Sequence, residues 1–168
     1  TYFARHEKGY VIQSLDLGLL TSLLQQCRVN FDLVRVVDLG DGLYVTDDGV
    51  DVRKAAYECL NAVMSLSDVE LDYATVLEAI VYGLEVYYDV PNVSKKLENA
   101  DDVQVLCLHI LGNLDVAAHH KVLVDAMHVL ADRWRAIVTK ALPGKAPTIQ
   151  QIERHDDLVR TVLRVVIH

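Results

Sequence analysis

Leu33-Val34-Arg35-Val36-Val37-Asp38-Leu39, then Gly40-Asp41-Gly42, then Leu43-Tyr44-Val45-Thr46-Asp47 reads as strand, turn and strand. β-branched and aromatic residues flank a glycine-rich break, which is hairpin composition. Directly after it, Asp47-Asp48-Gly49 supplies helix-capping chemistry. Val52, Ala55, Ala56, Cys59, Leu60 and Val63 then form an apolar stripe at helical spacing. Arg53, Lys54, Glu58 and Asn61 fall on the other side, with Lys54 and Glu58 as an i,i+4 pair. Nearly everything else in the chain reads as helix. A lone two-stranded ribbon is only marginally stable in water. Inside a helical array it either rests on a neighbouring helix or projects toward a partner.

Matching like with like sets the expected register. A three-residue Gly40-Asp41-Gly42 loop places Leu39 opposite Leu43, Val37 opposite Val45 and Arg35 opposite Asp47. One face then carries the apolar groups and a complementary charge pair. The other, pairing Asp38 with Tyr44 and Val36 with Thr46, is mixed. A two-residue Asp41-Gly42 loop would set Asp38 against Val45 and Val37 against Thr46, a worse match. The longer loop, with Gly42 in the left-handed region, is the expectation. Two placements stay open. The ribbon lies over its own helices with Leu39, Leu43 and Val45 buried, or it is a wedge whose tip, Leu39, Leu43 and Tyr44, fills a groove on a partner. A few buried anchors of that kind dominate binding energy.

Outward from the hairpin, the helices follow from periodicity and caps. Residues 10–29 carry Val11, Ile12, Leu15, Leu19, Leu20, Leu23 and Leu24 at helical spacing. Ser67 with Glu70 is a capping-box signature opening a third helix that runs to about Tyr87-Tyr88, before Pro91. The stretch Asn92 to Asp101 is polar and reads as a loop, spanning 90–101 in all. A fourth helix covers Val103, Leu106, Cys107, Ile110 and Leu111. A fifth runs from about His120 to Leu142 and ends at Pro143-Gly144. Thr148 with Gln151 forms another capping box for the last helix.

The helices fall into antiparallel pairs. Asp51, Asp102 and Asp157 each precede an apolar stripe, where an acid complements the helix dipole. They stand about fifty residues apart, near the ~40–47-residue period of a HEAT or armadillo unit once the polar stretch after Pro91 is set aside. The expected fold is all-α: an α-solenoid of about three HEAT-like antiparallel helix pairs spanning residues 1–168, with one inserted β-hairpin at 33–47. A plain helical bundle is the alternative.

Composition narrows the function classes. With 168 residues and 52% hydrophobic content, the chain can bury the core of one domain. Sixteen basic residues face 24 acidic ones for a formal net charge of −8. No basic run of five exists, so nucleic acid is not an expected partner. No apolar run reaches the ~18 residues of a membrane span. The N-terminus, with Arg5, His6, Glu7 and Lys8, does not read as a signal peptide. The chain opens at Thr1 and enters a helical pattern at once, so a fragment or processed form of a longer protein is expected. Three widely spaced cysteines, Cys27, Cys59 and Cys107, fit reduced thiols in a cytoplasmic or nuclear protein.

From Asp48 to Cys59, Asp-Gly-Val-Asp-Val-Arg-Lys-Ala-Ala-Tyr-Glu-Cys directly after a hairpin resembles a known family. It is similar to the C-terminal region of the cullin-associated, neddylation-dissociated HEAT-repeat proteins, assembly factors of cullin-RING ubiquitin ligases. Further matches, in order, are Leu33 to Gly40, Tyr82-Gly83-Leu84, Tyr88-Asp89, Thr139-Lys140, Ile149-Gln150-Gln151-Ile152-Glu153 and the Asp157-Leu158 helix with Arg160. The resemblance covers about residues 30–168 and implies a curved solenoid wrapping an unmodified cullin.

Its C-terminal repeats would hold the cullin N-terminal region. The hairpin would occupy the surface where a substrate-receptor adaptor docks, stripping one receptor module so that another can load. Carried onto this chain, the competing residues are Val36, Val37, Leu39, Leu43, Tyr44 and Val45, and Arg53 belongs to the cullin-facing surface. The Asn92–Asp101 stretch is longer than the family pattern, and the Gly-Asp-Gly tip is less bulky. This chain lacks the long N-terminal part that would grip the cullin's other end. It is expected to bind weakly alone, through lost avidity, or to work beside a separate N-terminal HEAT-repeat chain.

Catalysis and metal binding are not expected. His119 and His120 are adjacent and point about 100° apart on a helix, so they do not share an ion on one face. His155 with Asp156 and Asp157 reads as a solvated helix face. Nucleophile elbow, P-loop and dinucleotide fingerprints are absent from the sequence, and no cofactor is expected. The competing function is a generic HEAT-repeat scaffold, of the transport-receptor or phosphatase-scaffold kind, that binds a protein on its concave face.

Overall fold

A computed structural model describes residues 17–40, 42–65, 71–91, 94, 96–114, 116–142 and 147–167. In chain order they form α1 (Leu17–Gln26), a 3-10 turn (Phe31–Leu33), β1 (Val34–Asp38), β2 (Leu43–Asp47) and α2 (Val50–Met64). Then come α3 (Tyr73–Gly83), β3 (Tyr87–Asp89), β4 (Lys96–Glu98), α4 (Asp101–Gly112), α5 (Val116–Val138) and α6 (Ile149–Ile167). The described residues are mostly helical. The strands make two separate antiparallel ribbons, β1–β2 and β3–β4, where the sequence reading expects one.

The helices pack in two rows. α2 lies against α4 and α4 against α6, while α3 lies against α5; α1 covers α2, and α3 and α5 cross to α4 and α6. Between the rows sits one apolar core, with Tyr57, Leu60, Ile80, Leu108, Leu130 and Leu158 sealed from water.

On α2 the buried stripe is Arg53, Ala56, Tyr57, Leu60 and Val63, at i, i+3, i+4 spacing, with Ala62 buried beside it. It is rotated from the expected one, leaving Val52 exposed. The rotation has a chemical cause. The Tyr57 hydroxyl donates to the carbonyl of Ala79 at 2.7 Å, and Arg53 has its own buried partners, so two polar residues turn inward. Tyr57 also touches Gly83, where any Cβ would overlap the Tyr57 hydroxyl and Cys107 Sγ.

α3 begins at Tyr73, with Asp72 as N-cap accepting from the Ala74 amide at 3.1 Å; the expected Ser67–Glu70 box lies outside the described residues. α3 also ends early, at Gly83 rather than near Tyr88. Its last carbonyls are taken by side chains. Asn99 Nδ2 donates to Gly83 and Glu85 at 2.8 and 2.9 Å, and Gln104 Nε2 donates to Glu85 at 3.1 Å. Asn99 and Gln104 are both buried. The expected polar loop at 90–101 is therefore corrected in its second half: Lys96-Leu97-Glu98 is a strand paired with Tyr87–Asp89. Leu97 is buried with Tyr88 and Val29.

Asp51 and Asp102 occupy first turns, of α2 and α4. Asp157 instead lies in the middle of α6, so the third copy of the repeated pattern does not open a helix. α5 starts before its expected position and bends at His119 (φ −117°, ψ 17°), whose ring stacks on Tyr73 at 3.6 Å. The box ahead of α6 forms as expected. The Thr148 amide donates to Gln151 Oε1 at 2.8 Å, and the Gln151 amide donates to Thr148 Oγ1 at 3.2 Å. Among the described residues no helix is long and apolar enough to cross a membrane.

Candidate partner interface

The β1–β2 ribbon enters through the 3-10 turn, where Asn30 Oδ1 accepts from the Asp32 amide at 3.0 Å. Its register is Val34↔Asp47, Arg35↔Thr46, Val36↔Val45, Val37↔Tyr44 and Asp38↔Leu43, one residue from the expected pairing. The Leu39 amide donates to the Gly42 carbonyl at 3.1 Å, so Leu39 faces Gly42 and only two residues separate the paired positions. Gly40, not Gly42, takes the left-handed backbone, with φ 84°. A two-residue hairpin turn of the primed class calls for glycine at its first central position, because its twist matches the strands. Asp38 Oδ1 accepts from the Gly40 amide at 2.9 Å and fixes that geometry.

A one-residue change of register exchanges partners across the whole ribbon. Val36, Leu43 and Val45 now share one side, together with Val34 and Asp47. Val37 and Tyr44 share the other with Arg35 and Thr46. The single apolar face expected from the sequence is thus divided between both sides. On the inner side, Val34 and Val45 pack against the small cluster of Val29, Tyr88 and Leu97, and β2 lies along β4. Beyond that footing the tip is exposed: Leu39 is 65% exposed, Leu43 47% and Tyr44 46%. Val36 and Val37 are each more than a third exposed. Of the two placements open to the sequence, the base is laid down and the tip is not.

The base is also where the expectation for Arg53 is corrected. Arg53 is 2% exposed, so it presents no charge to a partner. Its Nη1 pairs with Asp47 Oδ2, both side chains nearly sealed from solvent. Nη2 donates to Asn99 Oδ1 at 3.3 Å, and the guanidinium carbon lies 6.0 Å from the Tyr88 ring centre. Asp47 Oδ1 accepts from the Gly49 amide at 2.8 Å, tightening the turn into α2. Arg35, expected opposite Asp47, instead bonds Asp48 at 2.6 Å on the exposed side.

Burial pushes the Tyr88 phenol far above its usual range, so it stays a neutral donor, bonded to the Tyr82 carbonyl at 3.0 Å. Three of the residues that hold the base were read otherwise from sequence. Asp47 looked like a cap, Asn99 like loop, and Tyr88 like a helix end. The polar–apolar–polar alternation of Lys96-Leu97-Glu98 was the available signal.

Residues 11–168 match the family model described as TATA-binding protein interacting (TIP20), called TIP120. This chain belongs to the TIP120 family. It is 30% identical over 168 residues to Cullin-associated NEDD8-dissociated protein 2 of Rattus norvegicus, covering 99% of the chain and 12% of that protein. It is 32% identical over 161 residues to Cullin-associated NEDD8-dissociated protein 1 of Arabidopsis thaliana, covering 96% of the chain and 12% of that protein. A third relative is the Cullin-associated NEDD8-dissociated protein 1, C-terminal part, of Emericella nidulans, 24% identical over 88% of the chain and 13% of its own length. The chain thus spans about an eighth of the length of these relatives. The match takes in both ribbons and all six described helices.

Proposed function

We propose that this chain binds cullin free of NEDD8 and that its β1–β2 ribbon competes there with a substrate-receptor adaptor. In that reading it is an assembly and exchange factor of cullin-RING ubiquitin ligases, working by binding and not by catalysis. The observation that carries the reading is the ribbon itself, open and apolar at its tip while anchored at its base. An apolar tip exposed to water gains by burial against a partner, at about 25 cal/mol per Å2 of apolar surface removed from water. Such a surface on a fixed support loses little ordering entropy on binding. The contact residues in this reading are Val36, Val37, Leu39, Leu43 and Tyr44, with Val45 as the inward-facing prop.

The helical part is read as an α-solenoid of HEAT-like pairs. Support comes from the α2–α4–α6 row and the parallel α3–α5 row, since stacked helix pairs bring every second helix into contact. We place the protein where cullins act, in the cytoplasm and nucleus, in keeping with Cys27, Cys59 and Cys107 all being free thiols. The cullin N-terminal region is the proposed binding partner, and a separate N-terminal HEAT-repeat chain would add avidity by engaging a second site.

Capture of unmodified cullin by the native chain and by Leu39→Asp combined with Tyr44→Asp tests this. The native chain is expected to retain cullin and the double variant to lose it. Equal capture by both removes the ribbon from the mechanism. No capture by either favours the generic scaffold.

A further inference from the structure

We propose that Arg53 is the positioning residue of this interface: from its buried site it sets the angle at which the β1–β2 ribbon leaves the helices. The inference rests on the proposed role of the ribbon. One guanidinium joins three elements. It sits on α2, pairs with Asp47 at the end of β2, and reaches Asn99, which in turn holds the Gly83 carbonyl at the end of α3 and the Glu85 carbonyl just beyond it. A second footing of the ribbon, among the described residues, is the patch where Val34 and Val45 meet Val29, Tyr88 and Leu97.

Leverage makes the base matter. Five strand residues at ~3.3 Å each give an arm of about 17 Å, so a ~10° tilt at Asp47 displaces the tip by about 3 Å. That is enough to take Leu39 or Tyr44 out of a fitted groove. A buried ion pair contributes little net stability, yet removing one partner strands the other charge. Arg53 Nε is buried with no hydrogen-bond partner, so the arrangement is incompletely satisfied as a stabilising device. What it does supply is a direction, because the planar fork can meet Asp47 and Asn99 together only in one orientation. Lysine keeps the charge and loses the fork.

The test uses Arg53→Met and Arg53→Lys, each alone and on a Leu39→Asp background. Amide hydrogen exchange is followed across β1 and β2, and cullin affinity is measured in parallel. Both substitutions are expected to speed exchange in the ribbon while α5 and α6 keep their protection. Each is expected to weaken cullin binding about tenfold when the tip is native, and to have little further effect once Leu39 is Asp. If Arg53→Met does not fold, Arg53→Lys carries the same readings. Ribbon exchange unchanged by both substitutions overturns the inference, as does an equal loss of affinity on the native and Leu39→Asp backgrounds. Failure of the cullin reading is separately visible, as native affinity unaffected by Leu39→Asp; ribbon exchange then judges Arg53 by itself.

Discussion

Gly83 and Tyr57 approach so closely that the glycine hydrogen occupies space no methyl group could share. A Cβ at position 83 would overlap the Tyr57 hydroxyl and Cys107 Sγ together. That hydroxyl cannot swing away cheaply, since it is held by the Ala79 carbonyl at 2.7 Å. Gly83→Ala is therefore expected to cost about 1–3 kcal/mol through overpacking. Tyr57→Phe, which removes only the hydroxyl bond, should cost less, about 0.5–1.5 kcal/mol. Urea unfolding midpoints measure both, and combining the two changes should recover part of the Gly83→Ala loss.

Cys27 and Cys107 are buried beside this contact while Cys59 is half-buried. Burial pushes the Cys27 thiol up to about 12 from 9.0, and burial raises Cys107 further. Neutral thiols are poor nucleophiles. A disulfide reagent at pH 8 should modify Cys59 first and reach the other two only on unfolding. Labelling of Cys27 or Cys107 at the same rate as Cys59 would contradict this.

The same thiols make an alkaline prediction. In the unfolded chain Cys27 ionises near 9.0, and in the folded chain only near 12. The unfolded state therefore binds fewer protons between those values, so stability falls as pH rises. It is fully present below pH 9 and is lost progressively toward pH 12. The urea midpoint should drop across this window, and Cys27→Ala should flatten the drop.

Lys140 joins the second ribbon to the end of α5. Burial alone would lower its pKa, but bonds to Asp101 and Glu98, both at 2.8 Å, outweigh that and hold the ammonium above its usual range. Lys140→Met leaves two carboxylates without their cation. Both keep partial contact with water, so the cost should be about 1–2 kcal/mol, below the 3–5 of a fully buried broken pair. Amide exchange in β4 should rise with it.

Thr148→Ala removes one half of the capping box that opens α6 and should cost about 1 kcal/mol. Faster exchange confined to the first turn of α6 is the accompanying sign. An unchanged midpoint would mean that the box adds nothing beyond the packing of Leu158 and Val162.

Much of this molecule was legible where a local rule had one outcome. Thr148 and Gln151 bond as their spacing requires, and the ribbon before α2 was clear from its composition. The family resemblance carried by Asp48 to Cys59 is shown by the match over residues 11–168. Legibility failed where a polar residue turned inward. Arg53 and Tyr57 look like surface to a hydropathy pattern, so the α2 stripe reads one residue too early around the helix, at Val52 and Ala55. Asn99 and Gln104 cap α3 from across the fold, a relationship with no signal in sequence spacing. The register slipped by one because pairing like with like ignores the turn. The turn's need for glycine at its first position, with Asp38 holding the Gly40 amide, outweighed a better-matched face.

Displacement of a bound substrate-receptor adaptor reads the ribbon's competition itself. A complex of unmodified cullin with a labelled substrate-receptor adaptor is titrated with the native chain, paired with the N-terminal repeats of a relative if the piece alone binds weakly. Accelerated release of adaptor by the native chain, and none by Leu39→Asp with Tyr44→Asp, is the expected result. Binding of the chain to cullin while the adaptor stays bound at an unaltered rate would contradict it.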